Sequence, residues 1–114
     1  MTVVILEDAA ADIELGRRFY ESCEAGVGDY FVEAILADLD SLLIFAGIHP
    51  VYFRFHRMLS TRFPFGIYYE VEDEVAYVYA ILDLRRDPLW INTQLEGRKL
   101  EQTCVLRGSL FNSI

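Results

Sequence analysis

The clearest pattern in the chain lies between Arg62 and Val71, where apolar and polar positions alternate. Phe63, Phe65, Ile67, Tyr69 and Val71 fall on one face, and Arg62, Pro64, Gly66, Tyr68 and Glu70 on the other. A period of two carried by aromatic and β-branched residues predicts a half-buried strand. The acids Glu72-Asp73-Glu74 break the pattern and predict a short turn. Val75 to Leu84 is apolar at nearly every position, as in a central strand covered on both faces. It stops at Arg85-Arg86-Asp87-Pro88, because Pro88 has no N–H for a ladder and biases Asp87 away from helix. Two cations are thereby held at the exit of a rigid hairpin, where binding surfaces are commonly built.

Upstream, Thr2 to Leu6 is a short β-branched run and predicts a first strand. Asp8 is placed to cap a helix through Ala9-Ala10-Ala11 to about Glu24. Its inward stripe is Ala9, Ile13, Tyr20 and Cys23, with Phe19 beside it. Gly26 and Gly28 mark a turn. A second helix, from about Asp29 to Ala46, puts Phe31, Ile35, Leu39, Leu42 and Ala46 on one face, widened by Val32, Leu36 and Leu43. It is expected to be the more buried of the two. Gly47 is placed to end it in a left-handed conformation and Pro50 to prevent resumption. Phe55 to Leu59 reads as an irregular strand feeding the next. The order is β-α-α-β-β-β, an α+β fold with a helical hairpin packed on a largely antiparallel sheet.

Composition narrows the classes. A chain of 114 residues with 54% hydrophobic residues is expected to be one ordered domain. Cys23 and Cys104 match no zinc or redox spacing and read as buried thiols of a cytoplasmic protein. No apolar run is long enough to span a membrane, and no signal peptide is legible. The net charge of −8 is uneven: residues 1–40 carry ten acids against Arg17 and Arg18. Residues 41–69 carry no acid and three arginines, Arg54, Arg57 and Arg62. Direct nucleic-acid binding is therefore disfavoured, although a smaller basic surface survives near the centre. No ligand cluster or glycine-rich phosphate loop is present, so neither metal nor organic cofactor is expected.

A short strand, a helical hairpin, the step Arg62-Phe63-Pro64-Phe65 into Ile67-Tyr68-Tyr69, and the exit Arg85-Arg86-Asp87-Pro88 with Trp90 after it resemble the RelE/ParE superfamily of type II toxin-antitoxin toxins. The resemblance covers residues 3–91. It implies a small bacterial toxin silenced by a cognate antitoxin, with either ribosome-dependent mRNA cleavage or inhibition of DNA gyrase as its activity. It also implies a toxin domain over residues 1–93, leaving 94–114 as an extension of unknown role. That tail, polar from Gln94 to Gln102 and then apolar at Cys104-Val105-Leu106 and Leu110-Phe111, reads as a docking strand or helix, an atypical extension, or appended residues. Its cations Arg98, Lys99 and Arg107 give it the means to mask the Arg85-Arg86 exit.

If the protein is an endoribonuclease of the RelE kind, the candidate catalytic residues are Arg62, Arg85 and Arg86 as cations and His56 as base, since metal-free RNA cleavage needs a base, an acid and a cation for the developing charge. The structural alternatives are strand-end pairing of Arg62 and Arg85 with Glu70 or Asp87, anchoring of Arg86 by Asp87, and a partly exposed strand position for His56. Many family members carry His where this chain has Asp83, and an Arg inside the third strand where it has Gly66. The one lysine is Lys99. These departures favour a ParE-like protein that is not an enzyme and acts on a protein such as gyrase, over the ribosome-dependent nuclease. A degenerate antitoxin-binding module is a third reading. Alternating Tyr77, Tyr79 and Ile81, with Trp90, are expected to line an apolar antitoxin-binding groove if no helix covers that face.

Overall fold

A computed structural model describes residues 1–98 of the chain; the tail positions discussed above from Lys99 onward lie outside the described residues. The elements are β1 (Thr2–Ile5), α1 (Glu7–Cys23), α2 (Val27–Asp40), α3 (Leu42–Phe45), β2 (Val51–Tyr52), β3 (Phe55–Leu59), β4 (Phe65–Glu72) and β5 (Val75–Asp83). Residues 88–98 are helical and are called α4. The sheet order is β1-β5-β4-β3-β2, antiparallel throughout except for the parallel pair β1–β5. This is the expected α+β arrangement, with β2 and α4 added.

The helical hairpin covers one sheet face. Phe31, Ile35, Leu39 and Leu42 pack with Met58, Phe65, Ile67, Tyr69 and Val78. α1 and α2 approach closely because Gly16 has no side chain: a Cβ there would lie 2.4 Å from the Phe31 ring. The second face is also covered, which the alternation in β4 does not foretell. Ile91 and Leu95 of α4 pack there on Val4, Leu6, Phe55, Tyr68 and Tyr79. Tyr68 and Tyr69, assigned to opposite faces, are both fully buried. α4 also runs without interruption across the boundary expected after residue 93.

Three local expectations change. α1 begins at Glu7 behind Leu6, and Asp8 sits in its first turn without capping it. Cys23 is exposed at the helix end. The second helix is broken at Ser41, whose hydroxyl and N–H both bond the Asp38 carbonyl. That tighter three-residue closure is how a serine competes with the helical ladder. Leu36 and Leu43 are exposed instead of widening the buried face. Gly47 ends the segment at φ 98°, as its position implies.

A bulge divides β5. Tyr68 pairs with Ala80 but Tyr69 with Val78, leaving Tyr79 as the extra residue. Tyr77 and Tyr79 therefore face α4, whereas Ile81 joins the hairpin-side cluster. The strict alternation that grouped Ile81 with the tyrosines fails at this point, because one inserted residue reverses the parity of everything after it.

Candidate functional site

The exit of β5 is built by a turn and a capped helix. Asp87 accepts the Leu89 N–H at 2.9 Å, and Pro88 opens α4 where no N–H is needed. Asp87 is thus a helix cap and not the partner of an arginine. Arg85 pairs with Asp83, Nη2 to Oδ2 at 2.7 Å and Nε to Oδ1 at 2.9 Å, and its backbone N–H is held by the same carboxylate. The Arg85 hydrogen bond holds the Asp83 carboxyl below its ordinary range against the opposing effect of burial. Arg85 is raised in turn, chiefly by Asp83. Arg86 instead lies over the Trp90 indole, 3.8 Å from the ring centroid, a cation–π contact.

Between α1 and this exit lies an open, mainly apolar groove of 330 Å³. Leu15, Phe19, Phe65 and Ile81 form its walls, with Arg86 and Trp90 at one end. Leu15 and Phe19 are 64% and 52% exposed, Phe19 lying beside the inward stripe of α1. The other end is closed by Asp12, which accepts the Ile81 N–H at 2.9 Å and pairs with Arg98 from α4. Arg98 also reaches the Tyr79 carbonyl at 3.4 Å. The bulge therefore has its exposed backbone groups satisfied by an acid from one helix and a cation from another.

Of the residues expected to line an antitoxin groove, Tyr79 is closed beneath α4 at 5% exposure, and Ile81 lines the α1 side instead. Burial, and secondarily the Glu70 carboxylate, push the Tyr79 phenol up to about 12. Trp90 reaches the α1-side groove, and Tyr77 remains part-exposed at the rim of the α4 face.

The nuclease candidates do not converge. Arg62 donates to the Tyr30 hydroxyl at 3.2 Å, beside Phe63 and away from Glu70. His56 stands opposite Tyr69, whereas Arg85 follows the Asp83–Phe65 pair, an offset of about 13 Å along the strands and two strand spacings of about 4.8 Å across. A base at His56 therefore has no cation from the β5 exit within reach of a shared phosphate.

His56 has a different setting. Its ring stacks on Tyr69 at 5.2 Å, and its Nδ1–H donates to the His49 carbonyl at 2.7 Å. The Tyr69 hydroxyl accepts the Gly47 N–H at 2.9 Å and is hydrogen-bonded to His49 Nδ1. Burial, and then the neighbouring His56, lower the His49 pKa. No periodic signal in the sequence links His49 to a tyrosine twenty positions on. Among the described residues no group of three His, Cys, Asp or Glu is placed to hold a metal ion, and no helix is long and apolar enough to cross a membrane.

No family model and no curated protein matches this chain. Its fold matches a chain of the solved structure described as "Chromosomal ParDE TA system from P. aeruginosa", with a TM-score of 0.68 and 18% identity over 74% of this chain and 96% of that one. At that identity the likeness is one of fold.

Proposed function

We propose that this protein is the toxin of a bacterial type II toxin-antitoxin system, ParE-like, cytoplasmic, neutralised by a cognate antitoxin and acting on a protein target such as DNA gyrase. The observation that carries the reading is the fold shared with nearly the whole length of a chain from a ParDE system. Two features of the site support the ParE-like form over the mRNA-cleaving one. His56 is remote from Arg85, and Arg85 is neutralised by Asp83. A strongly acidic chain also lacks the electrostatic term that drives docking into ribosomal RNA.

The groove between α1 and the β5 exit is the surface we assign to the antitoxin. An apolar segment laid on Leu15, Phe19 and Trp90 would bury exposed hydrophobic area, and the stacked Arg86 guanidinium offers its edge to a carboxylate.

The test is tightly induced expression of the protein alone in bacteria, with growth and a DNA-damage reporter followed together. Growth arrest with a damage signal, relieved by co-expression of the antitoxin encoded by an adjacent gene, is expected. Arrest without that signal, with ribosome-dependent mRNA cleavage lost in Arg85→Ala, would replace the reading with the mRNA interferase. Absence of arrest despite tight antitoxin binding would make the fold a non-toxic binding module.

A further inference from the structure

Two hairpin turns meet at one end of the sheet. The register puts the β2–β3 turn, Phe53-Arg54, beside the end of β4, and the β4–β5 turn, Asp73-Glu74, follows directly. All four residues have left-handed backbone, at φ 54°, 74°, 51° and 64°. Among the described residues no other non-glycine position does so. Such conformations cost energy at residues with side chains, and they collect at binding sites.

Between the turns lies an open, mainly polar depression of 330 Å³, separate from the groove beside α1. That volume is near the lower bound of about 300 Å³ for small-molecule sites. Val51 and Val71 form its apolar walls, and Arg54, His56, Glu70 and Glu72 supply its polar groups. Opposite charges line it without neutralising one another. Among the described residues neither Arg54 nor Glu72 takes part in an ion pair. Glu70 is engaged by the Tyr79 hydroxyl and adds a second negative charge. His56 gives its Nδ1–H to the His49 carbonyl, which leaves Nε2 of the neutral ring as an acceptor.

The lining selects the ligand. A cation and an anion held apart in one depression match a molecule that carries both charges close together, as an α-amino acid does. We propose that the depression between the two turns binds a basic α-amino acid, with its carboxylate on Arg54 and its α-ammonium on Glu72. The guanidinium can take the carboxylate in a two-pronged pairing. Two carboxylates and an imidazole acceptor stand against one guanidinium, so a ligand with excess positive charge is favoured. The aliphatic part of its side chain lies on Val51 and Val71.

L-Lysine is the probe, titrated into the ¹⁵N-labelled full chain at about pH 8, where an ordinary imidazole is neutral. Saturable binding is expected, with amide shifts centred on residues 51–56 and 70–74. L-Leucine lacks the side-chain cation, L-lysinamide the carboxylate, and Nα-acetyl-L-lysinamide both charges at the α-carbon. Each should bind at least about threefold more weakly. Arg54→Asn suits the left-handed turn and Glu72→Gln alters an exposed side chain, so both variants should fold, as circular dichroism will check. Each should weaken L-lysine binding by about tenfold, and Arg54→Asn should also remove the preference for L-lysine over L-lysinamide. The proposal is overturned by absence of saturable binding, by unchanged affinity in either variant, by equal binding of L-leucine or L-lysinamide, or by shifts centred on Leu15 and Phe19. Equal binding of Nα-acetyl-L-lysinamide also overturns it, because the depression would then be reading a lysine side chain within a protein.

Discussion

Asp12 and Arg98, far apart in the chain, form a buried ion pair at the point where β5 bulges. One Asp12 oxygen takes the Ile81 N–H while Arg98 reaches the Tyr79 carbonyl, so the pair ties α1 to α4 across the sheet. Removing one partner of such a pair leaves an uncompensated buried charge. Arg98→Ala should destabilise the protein by about 3 kcal/mol in urea titrations, and a loss below about 1 kcal/mol would mean that water replaces the guanidinium.

The same pair has a pH signature. Burial raises the Asp12 pKa above its ordinary value of 3.8 in spite of Arg98. A raised carboxyl pKa means that the folded state binds the proton more tightly than the unfolded one. Its contribution is present below the unfolded value and is lost as pH rises through the folded value. Asp12→Asn, which keeps an acceptor for the Ile81 N–H, should remove that descending limb from a plot of stability against pH.

His49 gives the opposite slope. Its pKa is lowered, so its contribution is full above the unfolded value near 6.5 and is lost as pH falls through the lower folded value. Thermal melts between pH 7.5 and 5 should show a decline that His49→Gln flattens. An unchanged slope in the variant would assign the decline to other groups.

Asp38 anchors the approach to β4. It is buried at 6% exposure and accepts Ser60 Oγ at 2.8 Å, Thr61 Oγ1 at 2.9 Å and the Thr61 N–H at 3.3 Å. Asp38→Ala should cost roughly 3 kcal/mol by leaving those donors unpaired. Asp38→Asn, which retains one acceptor, should cost clearly less. Equal losses would show that the carboxylate charge, and not its accepting geometry, matters.

Gly16→Ala tests the helical hairpin. Ordinary helix propensity favours alanine by about 1 kcal/mol, but the added methyl meets the Phe31 ring at 2.4 Å. Overpacking of that kind costs about 1–3 kcal/mol. A net loss of stability is expected by chemical denaturation, and a gain would mean that the Phe31 ring moves aside freely.

In the toxin reading, Phe19→Asp should leave the fold intact, since Phe19 is 52% exposed, while weakening antitoxin binding at least about tenfold. Binding measured by calorimetry alongside circular dichroism separates the two effects. Unchanged affinity would remove the groove from the antitoxin interface.

The local patterns in the sequence determined much of this molecule. Alternation placed β4, the unbroken apolar run placed β5, and Gly47 with Pro50 marked the end of the helical segment, because each signal lies within a few residues of its consequence. The exit arginines were legible as a cluster for the same reason. Only the tertiary structure decided what covers each face and which side chains meet. α4 buried the second sheet face, a single extra residue at Tyr79 turned Ile81 to the other side, and the sheet register separated His56 from Arg85. The pairs Asp12–Arg98, Asp38–Thr61 and His49–Tyr69 were invisible for a common physical reason. A hydrogen bond between distant residues leaves no period in the sequence, and it exists only once packing has brought its two ends together.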